Sequence, residues 1–308
     1  METRVLPFTD ESIAEAARLI LAGEPVAIAT ETVYGLAADA TDAAAVARIY
    51  EAKGRPSFNP LIVHVPDFPA AERIGLFSAE ASDLAEEHWP GPLTLVVPLR
   101  EGASIGSIVT AGLPTIGLRV PAHPAMQALL RATDRPLAAP SANASGTISP
   151  TRAVHVLRSL DGRIPLIVDA GPTQRGLEST IVAATGGPLR LLRPGPIAIA
   201  AELATGPRIE APATDIEAPG QLPSHYAPSK PLRLQATAAE ADEYWIGFGR
   251  AAGDSSLSPA GDLTEAAARL FDLLHTADAS PNPRIAIAPI PDEGLGRAIN
   301  DRLRRAAA

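Results

Sequence analysis

Between Pro25 and Val65 the chain reads PVAIATETVYGLAADATDAAAVARIYEAKGRPSFNPLIVHV, and this stretch leaves few folds open. Pro25–Thr30 is an apolar run of strand length. ETVYGL follows, and Gly35 is expected to turn the chain there. Asp42 can cap a helix reaching about Lys53, because Val46, Ile49, Tyr50 and Lys53 recur at helical spacing on one side. Gly54 suits a left-handed helix end, and Pro56 prevents the helix from resuming. Leu61–Val65 is the next strand. Strand, hydroxyl-rich turn, helix, basic loop and strand in so short a space make a unit of βαβ size. The polar residues left at its joints are Thr30, Glu31, Thr32, Tyr34, Lys53, Arg55, Ser57, Asn59 and His64. Two cations, several hydroxyls and an amide on one edge suit a bound anion with a polar tail.

The rest of the chain alternates less regularly. Thr9 or Asp10 can cap a helix to about Ala22, and helices are expected near residues 67–74 and 78–88. A strand lies within Trp89–Leu99, and Ser107–Thr110 and Thr115–Val120 also have strand character. Helices follow at His123–Ala132 and Thr151–Leu160, on either side of a strand at Pro136–Pro140 and the polar loop Ser141–Thr151. Strands at Pro165–Asp169, Ile181–Ala184 and Leu189–Arg193 precede a short helix at Pro196–Leu203. Several strand–turn–strand joins predict an α/β fold with a mixed sheet, not a doubly wound parallel one. Periodicity then fades, and Pro207, Pro212, Pro219, Pro223, Pro228 and Pro231 make a stiff linker. Beyond it come a strand at Tyr244–Gly249, an amphipathic helix at Leu263–His275, a strand at Arg284–Pro289 and a helix at Leu295–Arg305. The predicted division is 1–206, a first α/β domain; 207–231, a linker; and 232–308, a small second α/β domain.

Charge narrows the choice of ligand. The net charge is −9, so a nucleotide site has to be a local basic patch in an acidic body, and a general polyanion binder is excluded. With no cysteine there are no disulfides or thiolate metal sites, which suits a reducing cytoplasm. The first residues, METRVLPFTDES, carry acids and no apolar core, unlike a secretory signal. No run approaches the roughly 20 apolar residues of a membrane span.

Neither G-x-x-x-x-G-K-[ST] nor a post-strand G-x-G-x-x-G is present, so phosphate binding would rest on side chains. Lys53 and Arg55 come first, then Arg119 and Arg193. The plainer reading of Lys53 and Arg55 is cations favoured at a helix end. Ser141-Ala142-Asn143 follows a strand at a sheet edge where ligands tend to sit, although Ser and Asn also cap turns. His64 lies inside an apolar strand, where a lone histidine is more often a hydrogen-bonded core residue than a catalyst. No second His stands near it at metal spacing, so no metal site is expected. His88, His123, His155, His225 and His275 are scattered; chain order leaves a Ser-His-Asp triad open, but no G-x-S-x-G elbow exists. His225 and Tyr226, in the linker, are either an anchor on one domain or a lid over a ligand.

Taken together, TETVYGL (Thr30–Leu36), KGRPSFNPLIVHV (Lys53–Val65), WPGPLTLV (Trp89–Val96), TIGLRVPAHP (Thr115–Pro124), APSAN (Ala139–Asn143), LESTIV (Leu177–Val182), LLRPGPI (Leu191–Ile197) and SHYAP (Ser224–Pro228) resemble, in order, the Sua5/YrdC family, the threonylcarbamoyl-AMP synthases. The linker and C-terminal segment look like the longer, two-domain Sua5 form. The resemblance implies a YrdC-like twisted, mixed open sheet with flanking helices, plus a small C-terminal Rossmann-like α/β domain. It implies a nucleotidyltransferase joining L-threonine, bicarbonate and ATP into L-threonylcarbamoyladenylate, with Mg²⁺ accompanying ATP. The product would pass to a tRNA threonylcarbamoyl transferase for modification of adenosine 37, with tRNA contact indirect or weak, no membrane, and a cytoplasmic location. Lys53 and Arg55 would be the catalytic cations. Asn59, Thr115, Ser141, Asn143, Arg193 and Tyr226 would join them around ATP, and Thr32, His64, Arg119 and Ser179 would hold threonine. Two departures stand out. Ala29 replaces a usual proline, and the segment beyond Pro231 is short, with faint similarity outside GLGRAINDRLRRA.

Overall fold

The computed structural model describes residues 2–197, 217–221 and 224–308. In it the run beginning at Pro25 forms strand β2 (Val26–Ala29), every residue of which is buried. The chain then reverses within Thr30–Val33. Thr30 Oγ1 donates to the Val33 carbonyl at 2.7 Å and accepts from the Thr32 amide at 3.2 Å. Strand β3 (Tyr34–Asp39) returns antiparallel to β2. The expected turn at Gly35 is therefore corrected: the hydroxyl of Thr30, five residues before that glycine, makes the reversal. Gly35 lies inside β3, where an added Cβ would sit 3.4 Å from Ala139 Cβ, so its small size serves close packing.

Helix α2 (Ala43–Lys53) follows, with the Asp42 carboxylate accepting from the amides of Ala44 and Ala45 and Gly54 ending it at φ 59°. β4 (Ile62–His64) runs on from the basic loop. The remaining elements of this part are β1 (Arg4–Pro7), α1 (Asp10–Leu21), α3 (Phe68–Glu72), α4 (Ala79–His88), β5 (Leu93–Pro98), β6 (Thr115–Arg119), α5 (Pro124–Thr133), β7 (Leu137–Ala138), α6 (Ala153–Leu160), β8 (Leu166–Asp169), β9 (Thr180–Ala183) and β10 (Arg190–Arg193). Among the described residues these strands form one mixed sheet in the order β1-β8-β2-β3-β7-β4-β6-β5-β9-β10. β7 lies between β3 and β4 and is antiparallel to both, so the βαβ-sized unit is a crossover that leaves room for a third strand.

Period-two alternation assigns the faces. Ala27, Ala29, Tyr34, Leu36, Val63, Leu95 and Leu118 point into one core with Val46 and Ile49 of α2 and Val156 of α6. Val26, Ile28, Leu166 and Val168 point the other way, against Ile13 and Ile20 of α1 and Leu129 of α5. On that second face, farther along the sheet, Ile62, Val96 and Ile181 pack with Ala218.

Two expectations are corrected. Ser107–Thr110 is a run of turns, because the Ser107 carbonyl accepts from the Thr110 hydroxyl at 3.2 Å and the Gly106 carbonyl from the Val109 amide at 2.9 Å. β1, which the sequence did not announce, is an edge strand pairing with β8. Of the helix expected at Pro196–Leu203, residues 198–203 lie outside the described residues.

The second sheet contains β11 (Leu232–Arg233), β12 (Glu243–Gly247), β13 (Ser255–Ser256) and β14 (Arg284–Ile287), all parallel, in the order β11-β14-β12-β13. Helices α7 (Leu263–Asp278) and α8 (Leu295–Ala306) accompany it. Its apolar cluster, which includes Leu270, Phe271, Ile285 and Ile299, extends to Val33, Ile148, Leu177 and Tyr226. The two sheets thus share a core at their junction. Gly176, at φ 69°, allows this approach: an added Cβ would lie 2.4 Å from the Ala267 carbonyl oxygen of α7. Arg152 and Asp272 pair across the junction at 2.7 Å, and the His155 and His275 rings stack with centroids 3.8 Å apart. Among the described residues no helix is long and apolar enough to cross a membrane.

Candidate active site

The same alternation builds the site. Ile62 and His64 of β4, Thr115, Gly117 and Arg119 of β6 and Thr94 of β5 share the face that α1 and α5 leave uncovered. Ser179 immediately precedes β9, and the hairpin turn supplies Thr30, Thr32 and Val33. Ile62, His64, Arg119, Ser179, Thr30, Thr32 and Val33 line a cleft with Arg55, Ser141, Glu178, Arg193, His225 and Tyr226, while Thr94, Thr115 and Gly117 line a pocket beside it.

Arg119 is buried and held in one pose. Its Nε donates to the Gly91 carbonyl at 3.2 Å, Nη1 to Thr32 Oγ1 at 3.0 Å and Nη2 to Glu31 Oε1 at 2.6 Å. These bonds leave two of its five N–H groups for a ligand. Burial raises the Glu31 pKa, but the Arg119 charge and hydrogen bond outweigh it and leave the carboxyl below its usual range. His64 Nδ1 is buried without a partner. Burial, then the nearby Arg119 charge, lowers the imidazole to about 3, so the ring is neutral at pH 7. Ser179 Oγ contacts Thr94 Oγ1 at 2.8 Å and accepts from Arg193 Nη2 at 3.1 Å.

Lys53 and Arg55 end the α2 segment facing this cleft, tied by backbone oxygens. Lys53 Nζ donates to the carbonyls of Ser141 and Asn143. Arg55 donates through Nε to the Asn59 carbonyl at 3.2 Å and through Nη2 to the Pro60 carbonyl at 2.9 Å. Burial is the main cause holding Lys53 well below its usual pKa and Arg55 at about 10. Burial likewise lowers Arg193. Among the described residues none of these three cations forms a salt bridge with a carboxylate. Burying a cation costs several kcal/mol that carbonyls repay only in part. An anion is therefore the natural complement of this wall.

The sequence-derived positions sort into layers. Thr32, His64, Arg119 and Ser179 line the cleft together, as do Arg55, Ser141, Arg193 and Tyr226. Thr115 lines an adjoining small pocket that shares Ile62 and Pro219 with the cleft. Lys53, Asn59 and Asn143 stand behind the lining, where Asn59 Oδ1 and Asn143 Oδ1 are buried without partners. Tyr226, at φ 65° and fully buried, covers the cleft with its hydroxyl unpartnered. Glu178 stands in LESTIV but is not singled out from sequence. Its partner, Arg302, lies 124 residues on and gives no local signal.

Comparison with known proteins decides the relationship. Residues 18–195 match the Sua5, YciO and YrdC family, described as "Telomere recombination", and residues 196–308 match the family described as "Threonylcarbamoyl-AMP synthase, C-terminal domain". The chain belongs to the two-domain Sua5 family. A Bacillus subtilis threonylcarbamoyl-AMP synthase is 41% identical to it over 99% of this chain and 95% of that protein. The Pyrococcus abyssi synthase is 38% identical over 95% of this chain and 93% of its own length. A crystal structure of P. abyssi Sua5 complexed with L-threonine superposes with a TM-score of 0.89, at 36% identity, covering 99% of this chain and 98% of that one. Escherichia coli YciO, 19% identical with a TM-score of 0.56 over 63% of this Sua5 chain, shares the fold alone.

Proposed function

We propose that this Sua5-family enzyme condenses L-threonine, bicarbonate and ATP into L-threonylcarbamoyladenylate, releasing pyrophosphate and water. The observation that carries the reading is the cleft's positive wall of Arg55, Arg193 and, behind it, Lys53, none of them in a salt bridge among the described residues, sharing the cleft with a polar group of Thr32, His64, Arg119 and Ser179. There the two free N–H groups of Arg119 take the threonine carboxylate. The unpartnered His64 Nδ1 is available to the threonine hydroxyl, and Ser179 and Thr32 flank them. The amine adds to the carbon derived from bicarbonate, water departs, and a carbamate forms. One carbamate oxygen then attacks the α-phosphate, its bond to phosphorus forming as the bond to pyrophosphate breaks.

No residue becomes covalently attached. Catalysis on this reading is alignment plus neutralisation of charge on the transferring phosphoryl group. Arg55, Arg193, Ser141 and Tyr226 bear on the nucleotide. Thr115 extends the site into the adjoining cavity. Lys53, Asn59 and Asn143 shape the loops behind. Among the described residues no three His, Asp or Glu side chains converge as a metal site, so Mg²⁺ would arrive on the phosphates of ATP itself. The P. abyssi complex with L-threonine supports the amino-acid half of the assignment. The product is an activated carbamoyl donor suited to a separate tRNA threonylcarbamoyl transferase acting at adenosine 37, and a cysteine-free chain suits a reducing cytoplasm. The decisive assay is pyrophosphate release from ATP. It should require both threonine and bicarbonate, and release of equal rate without either one excludes the reading.

A further inference from the structure

Among the described residues the largest fully buried side chain belongs to Arg302, on α8 of the second sheet's unit. It is not part of the cleft lining, yet two of its bonds and its ring contact end on lining residues or next to one. Its Nε donates to Glu178 Oε2 at 2.8 Å. Its Nη2 donates to the Pro194 carbonyl at 3.0 Å, next to the cleft residue Arg193. Its guanidinium lies 5.2 Å from the centroid of the Tyr226 ring. Asp301 holds Nη1 at 2.7 Å. The other oxygen of Glu178 accepts from the Ser149 hydroxyl.

A buried ion pair is a poor adhesive, because desolvation of the two charges offsets most of their attraction. The apolar contacts of Val33, Ile148 and Leu177 with the α7 cluster already join the two units. What the pair does supply is direction. Glu178 is the one acid lining the cleft among the described residues. Left without a partner, its carboxylate would face the same space as the phosphates of a nucleotide.

We infer that Arg302 is a positioning residue for the reaction: from the second unit it turns the Glu178 charge away from the nucleotide subsite and fixes Tyr226 and the Arg193–Pro194 segment around it. The inference rests on the synthase reading. It assigns the C-terminal unit a definite task, supplying the buried countercharge that keeps the cleft receptive to a polyanion. Arg302 acts through its neighbours and touches no substrate.

The test measures kcat and KM for ATP by pyrophosphate release in Arg302→Met, Glu178→Gln and the double variant, with thermal unfolding followed on each. Arg302→Met should raise the KM for ATP tenfold or more. Adding Glu178→Gln should recover part of that loss, because it removes the exposed charge. General loosening of the two units would predict no such recovery. Arg152→Met, which breaks an ion pair at the same junction but away from the cleft, should keep wild-type KM and kcat. The inference is overturned if Arg302→Met has a wild-type KM, if the double variant loses the product of both single losses, or if Arg152→Met loses as much. Should Arg302→Met fail to fold, Arg302→Lys decides. It keeps the charge but lacks the planar fork needed to hold Glu178 and Pro194 together, so kcat must fall while the KM for ATP stays close to wild type; an unchanged kcat refutes the inference. If wild-type protein shows no threonine-dependent turnover, the synthase reading fails. Calorimetric binding of ATP to the same variants then still tests the role of Arg302.

Discussion

Arg55 and Arg119 illustrate two ways of burying a cation. Arg119 is balanced by Glu31, whereas Arg55 ends on two carbonyls. The balanced one is suited to a zwitterion and the unbalanced one to a phosphate. Arg55→Ala should therefore cut pyrophosphate release about 100-fold, the usual effect of removing one donor aimed at developing charge. Arg119→Lys should raise the KM for threonine about tenfold while leaving that for ATP unchanged, since an ammonium cannot hold a carboxylate with two parallel bonds; steady-state kinetics with each substrate varied will show it. His64 makes a prediction about pH. Its pKa falls from 6.5 in the unfolded chain to about 3 in the folded protein. The unfolded form therefore binds the proton first. The stability His64 contributes is whole above pH 6.5 and is lost as pH falls towards 3. His155 and His225, also lowered to about 3, and His275, lowered to about 4, act in the same sense. Thermal midpoints should drop between pH 6.5 and 4, and His64→Asn, which cannot titrate, should show a shallower drop.

At the level of elements, the sequence was most informative where local chemistry decides. Asp42 and Gly54 bound α2 through a cap and a left-handed residue, both visible in a window of a few residues. The helices at Pro124–Thr133 and Leu263–Asp278 likewise follow from caps and apolar spacing. Legibility failed where the partner is distant. β1 exists because β8, some 160 residues later, offers it an edge; four mostly exposed residues carry little pattern of their own. The hairpin of β2 and β3 was hidden because Gly35 reads as a turn, while the true reversal depends on one threonine hydroxyl. Of the site, motif order brought Thr32, His64, Arg119 and Ser179 together, but nothing near LESTIV announces that Glu178 meets Arg302. Gly195 shows how strictly these segments are fitted. A Cβ there would lie 2.4 Å from the Thr180 amide nitrogen and 2.7 Å from the Ser179 carbonyl carbon. Backbone on both sides cannot yield, so Gly195→Ala should displace Ser179 and lower threonine affinity measured by calorimetry, with far-UV circular dichroism unchanged.

Across the whole molecule, walls and cover of the cleft have different owners. The mixed sheet provides His64 and Arg119, and the residue just before β9 is Ser179, while Tyr226 belongs to the apolar cluster that also holds Phe271 of α7. The junction depends on Gly176, whose missing side chain lets α7 reach the first unit. Gly176→Val should push the two apart, lowering the thermal midpoint and abolishing turnover together. The divided ownership has a consequence for heating. Because Tyr226 and Arg302 are secured from the far side of a seam, warming that only slackens the seam would empty the cleft of order while both sheets persist. Catalysis should fade several degrees before the backbone signal does, and cooling from that interval should bring it back in full.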